Sequence, residues 1–102
     1  MELKIGQRLR SQVDETEVVV VRAPAGSIEL TCGGHPMIDQ AAAPADGLNL
    51  VEGEASGVHL GKRYADAAQT VELLVTKAGR GSLSLNGEVL EPKVAKPLPA
   101  SD

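Results

Sequence analysis

The chain has 102 residues, 42% hydrophobic and 24% charged, with one cysteine, a single Phe/Tyr/Trp-class aromatic and a formal net charge of −4. This excludes an internal disulfide framework, a four-cysteine metal site and a stacking platform for bases, and no apolar run approaches the roughly 18 residues of a bilayer span. Residues 1–47 carry four basic and seven acidic side chains and residues 48–102 carry six and seven, so neither half has the basic excess that phosphate binding requires.

The opening Met1-Glu2-Leu3-Lys4-Ile5-Gly6 is polar and alternating, without the apolar stretch of a secretory signal, so a cytoplasmic protein is expected. Leu3, Ile5, Gln7, Leu9 and Ser11 continue a period of two. Val18 to Val21 is β-branched throughout, with side-chain rotamers that suit a pleated surface. Such an uninterrupted apolar run suggests a strand covered on both faces. Pro24 and Gly26 mark a turn, and Ser27-Ile28-Glu29-Leu30-Thr31 alternates as a half-buried strand does. These elements form a first β-unit, residues 1–38.

Residues 39–47 read as a linker, because Pro44 and Gly47 interrupt its alanines. A β-hairpin unit over 48–91 follows. Leu48, Leu50 and Glu52 fall on one face of an alternating segment, and Asn49, Val51 and Gly53 on the other. Val71-Glu72-Leu73-Leu74-Val75 and Ser82-Leu83-Ser84-Leu85 flank Lys77-Ala78-Gly79-Arg80-Gly81, which reads as a hairpin loop whose glycines supply positive φ. Asn86-Gly87 is a second hairpin turn. Residues 92–102, with Pro92, Pro97 and Pro99, read as an extended proline-rich tail without a ladder. The expected fold is a single all-β domain of small antiparallel sheets or a partly open barrel. Its 26 Val, Leu and Ile residues supply most of the core, at about 1.5–3 kcal/mol for each one fully buried. Ordering the chain costs a comparable total, so a marginal monomer with open sheet edges points to a homodimer.

One segment carries chemistry: Leu30-Thr31-Cys32-Gly33-Gly34-His35-Pro36-Met37. A cysteine followed by two glycines makes a tight turn in which peptide N–H groups are free to point toward sulfur, as in a metal-binding knuckle. With Val18 to Val21 and Ala25-Gly26-Ser27 ahead of it, the stretch from Leu9 to Met37 resembles the desulforedoxin-like domain family. That resemblance implies a small β-unit holding iron or zinc through four thiolates. Here Cys32 stands at the first position of a Cys-Cys pair and Gly33 at the second, while the Cys-x-x-Cys pair falls near Ser11 and Asp14. Three of the four ligands are thus replaced, which implies a knuckle that has kept its shape without its metal.

Other readings use the same residues. Cys32 and His35 have the C-x-x-H spacing that zinc accepts, and Asp14 and His59 would complete a zinc or iron set. Amides around Cys32 would favour a thiolate, although no resolving cysteine exists; a buried, inert thiol is the alternative. Gly61-Lys62-Arg63-Tyr64 offers Lys62, Arg63 and Tyr64 as an anion-recognition edge or interface anchor, with Tyr64 equally suited to the core.

Weaker constellations fail on chemistry. Gly79-Arg80-Gly81-Ser82 lacks the Walker Lys-Ser/Thr and leads into a strand. Glu52/Glu54 and Glu88/Glu91 read as solvated pairs, and Ser11, His59 and Asp66 form a triad only on paper, without a nucleophile elbow. The expected function is a non-catalytic accessory or assembly module, cofactor-free, acting as a homodimer or as partner of an enzyme. The alternatives are a metal-binding or redox protein with an altered site at Cys32 and His35, and a small enzyme with a pocket at a dimer interface.

Overall fold

The computed structural model describes residues 2–53, 55 and 57–93. Its strands are β1 (Arg8–Arg10), β2 (Glu17–Arg22), β3 (Leu30–Cys32), β4 (His35–Pro36), β5 (Ile38–Asp39), β6 (Arg63–Ala65), β7 (Glu72–Lys77), β8 (Leu83–Leu85), β9 (Glu88–Val89) and β10 (Glu91–Pro92). No described residue is helical, and so no described helix is long and apolar enough to cross a membrane. Two antiparallel sheets form, ordered β10-β6-β7-β2-β1-β5 and β4-β3-β8-β9. The all-β expectation therefore holds as two sheets, not as a barrel.

Each sheet draws strands from both halves of the sequence. β2 pairs with β7 and β3 with β8, so the units expected at 1–38 and 48–91 interleave in space. One core joins them: Leu9, Val18, Val20, Leu73 and Val75 from the larger sheet meet Leu30, Cys32, Leu83 and Leu85 from the smaller. Alternation explains the partition in β2, where Val18 and Val20 are buried while Val19 and Val21 are half-buried on the outer side. The valine run is thus sealed on one face only, contrary to the two-sided cover its composition suggested.

Three local expectations fail for reasons beyond local sequence. Residues 48–53 alternate but form no strand. Residues 77–81 are not a hairpin loop: β7 pairs with β2 and β6, and β8 with β3 and β9, so this segment crosses from one sheet to the other. Pro92 does enter a ladder, opposite Tyr64; residues 94–102 of the expected tail lie outside the described residues. The Asn86-Gly87 turn forms as expected between β8 and β9, with φ of 50° and 86°.

All four sheet edges are short. β10, β5, β4 and β9 have two residues each, with Pro92 on β10, Pro36 on β4 and Glu88 on β9. Proline and charge at an edge discourage pairing with another chain. The open edges invoked for dimerisation are therefore guarded.

Candidate functional site

The segment from Ser11 to Thr16 joins β1 to β2 as a turn tied by its own side chains. The Ser11 hydroxyl oxygen accepts the N–H groups of Val13 and Asp14, at 3.1 and 3.3 Å. Asp14 Oδ1 accepts the Thr16 N–H at 3.2 Å, and Oδ2 accepts the Thr16 hydroxyl at 2.9 Å. Such short-range Ser and Asp bonds are how these residues shape turns.

The same half-buried carboxylate reaches two distant segments. Gly81 N–H donates to Oδ2, and the Cys32 thiol to Oδ1 at 3.8 Å. Gly33 N–H meanwhile donates to Ser82 O at 3.0 Å, so it is turned away from the sulfur that the knuckle reading aimed it at. Asp14 thus ties the β1–β2 turn to β3 and to the 79–81 crossover. Ser11, Thr16 and Cys32 are essentially fully buried around it.

The crossover glycines are required by space, not by dihedral angle. Neither Gly79 nor Gly81 has positive φ. A Cβ on Gly79 would overlap Thr16 and Asp14 Oδ2, and one on Gly81 would lie 2.9 Å from both Cys32 Sγ and Gly33 N. What resembled a phosphate loop is a backbone stripped of side chains so that it can touch a carboxylate. The glycines of the β3–β4 turn do use positive φ, 64° at Gly33 and 89° at Gly34. Gln12 ties the segment expected to be a linker to β4, bridging Pro36 O and the Ala45 N–H, and beyond that segment Val51 N–H donates to Gly33 O at 2.9 Å.

Protonation follows from these contacts. Burial alone would raise the Asp14 pKa, but donors from Ser11, Gly81 and Thr16 hold it below the ordinary 3.8. Cys32 moves the other way: burial first, then the adjacent Asp14 charge, push it from 9.0 to about 11, against the Thr16 and Ser11 hydroxyls. Cys32 is therefore a thiol at neutral pH, the opposite of what a nucleophile needs.

The four positions implied as thiolate ligands, near Ser11, Asp14, Cys32 and Gly33, do gather here, but as a hydrogen-bonded knot. They do not fit a tetrathiolate metal. One sulfur is present, and a carboxylate that accepts four donors has no lone-pair direction left for a cation. Of the alternative set, only Cys32 and Asp14 meet. His35 Nε2 lies 2.9 Å from Asn49 O, and His59 contributes its backbone N–H to the Tyr64 hydroxyl at 3.0 Å. Among the described residues no group of three or more His, Cys, Asp and Glu is placed to hold a metal ion.

The remaining candidates separate. Tyr64 is a core residue and Lys62 is exposed. Arg63, on the opposite face of β6 from Tyr64, pairs at 3.2 Å with Glu72, which also binds Lys93 Nζ at 2.8 Å. Asp66 accepts the Thr70 hydroxyl at 2.6 Å and the Val71 N–H at 3.0 Å, so Ser11, His59 and Asp66 have separate partners. Of the acidic pairs, Glu88 and Glu91 are exposed; Glu54 lies outside the described residues.

Sequence reasoning missed Thr16, Gly79, Gly81 and Glu72. Two signals were present: Asp14-Glu15-Thr16 is a side-chain turn pattern, and Glu72 is a charge inside an otherwise apolar run. Comparison with protein-family models, with curated proteins and with solved structures gave no match.

Proposed function

We propose that this chain is a non-catalytic β-module that acts by association, as a homodimer or as the accessory partner of an enzyme, around a desulforedoxin-like knuckle in which a carboxylate has taken the structural place of a metal. The observation that supports this reading is the saturation of Asp14: its two oxygens accept Thr16 N–H, the Thr16 hydroxyl, the Gly81 N–H and the Cys32 thiol. Chemistry-bearing side chains are thereby spent on holding three chain segments together. A buried cysteine kept as a thiol suits a reducing, cytoplasmic setting.

The test is elemental analysis of purified protein combined with light scattering. Substoichiometric iron and zinc, a melting temperature indifferent to chelator and a mass above the monomer are expected. One tightly held metal per chain, lost together with the fold, would overturn the metal-free reading. A monomer without a protein partner would overturn the association.

A further inference from the structure

With the sheet edges guarded, association falls to a face, and the outer face of the six-stranded sheet has an unusual composition. Cross-strand register sets one row across it: Arg63, Leu74, Val19 and Arg8. Strand spacing puts the two arginines roughly 14 Å apart, with half-buried aliphatic side chains between them. A neighbouring row runs Glu91, Ala65, Glu72 and Arg22. Residues opposed in register share a face, so Glu91 points to the same side as Ala65 and Arg63.

Charge is graded along this face. At the β1 end stand Arg8 and Arg10, neither in an ion pair among the described residues, and Arg10 Nε is buried without a hydrogen-bond partner. Glu17, opposite Arg10, already accepts the Gln40 amide at 2.7 Å. At the β10 end Glu91 stands on this face, and beside it Asp66 and Glu88, the latter on β9 of the smaller sheet, line a small cleft of about 120 Å³ with Ala65 and Val89. The cations at that end, Arg63 and Lys93, are engaged by Glu72. One end is thus left net basic, the other net acidic, and the middle is aliphatic.

Resting on the association reading above, we infer that this face docks a second copy of the chain as a two-fold dimer. A two-fold contact meets itself, so residue i must complement residue j in both directions. An axis lying between the faces and inclined to the strands, as packed sheets are, sets Arg8 and Arg10 of each copy against Glu91 of the other and the acidic cleft that Asp66 and Glu88 line beside it. It also closes Val19 and Leu74 over their equivalents. An orientation that overlays the two β1 ends would instead set these arginines against their equivalents.

The test uses Arg8→Glu/Arg10→Glu and Glu88→Lys/Glu91→Lys, sized alone and mixed one to one. Each variant alone sets like charges opposite and is expected to weaken the dimer by about 100-fold. The mixture restores both contacts and is expected to dimerise as the unaltered chain does. Should either double variant lose its strand signature by circular dichroism, the exposed single substitutions Arg8→Glu and Glu91→Lys replace it. Variants that dimerise unaided, or a mixture that stays monomeric, would reject this face while leaving association intact. An unaltered chain that is monomeric at millimolar concentration would reject the dimer itself.

Discussion

Two carboxylates hold this molecule together by opposite means. Asp14 is satisfied by neutral donors from three chain segments, whereas Glu72 is satisfied by two cations whose side chains are 55% and 39% exposed. Neutral donors demand backbone approach at fixed distance, which is why glycines stand at 79 and 81. Long cationic side chains reach their partner from solvent and need no such space. The first arrangement is rigid and indifferent to salt; the second is adjustable and screened.

Breaking the rigid arrangement should cost most. Asp14→Ala strands the Gly81 and Thr16 donors and is expected to lose roughly 3–5 kcal/mol in urea unfolding. The sign with pH follows: the folded-state pKa is lowered, so the Asp14 contribution is complete above 3.8 and fades as pH falls through and below that value. Asp14→Asn should remove that part of the acid limb. Cys32 gives the mirror image, since its folded-state pKa is raised. Stability is full below pH 9.0 and declines as pH climbs toward about 11, by roughly 3 kcal/mol across the interval. Cys32→Ala should flatten that alkaline limb in melts recorded against pH.

The comparison is sharpened by two glycines. Gly81→Ala places a methyl against Cys32 and Gly33 and should cost roughly 2–3 kcal/mol. Gly87→Ala, at φ 86° with nothing within 4 Å, should cost about 1 kcal/mol through backbone strain alone. Glu72→Gln should cost about 1 kcal/mol in dilute buffer, because its partners can return to water. That loss should shrink in about 1 M salt, while the Asp14→Ala loss should not.

Legibility in the sequence followed the range of the interaction. Val18 to Val21 and Asn86-Gly87 were readable because rotamer preference and positive φ are local properties. The alternation at 48–53 misled because periodicity does not reveal whether a partner strand exists; Val51 instead gives its N–H to the Gly33 carbonyl. The loop at 77–81 misled because turn residues do not specify which sheet receives the next strand. Its glycines answer to Asp14, 65 and 67 positions earlier in the sequence. Ser11, Asp14, Cys32 and Gly33 were placed near one another by the knuckle pattern, yet one of the donors that saturate Asp14, the Gly81 N–H, comes from a segment that pattern does not cover. Two histidines suggested a ligand set from spacing alone; the His35 ring instead meets the Asn49 carbonyl, and His59 contributes only its backbone N–H, to the Tyr64 hydroxyl.

Modification of Cys32 by a small disulfide reagent, followed against pH and urea, probes the centre of this account most directly. At neutral pH the labelling rate should track global unfolding and rise sharply in Asp14→Ala. Rapid stoichiometric labelling of the folded chain, with strand content unchanged, would mean that the sulfur is open to solvent and that the knot is a working site.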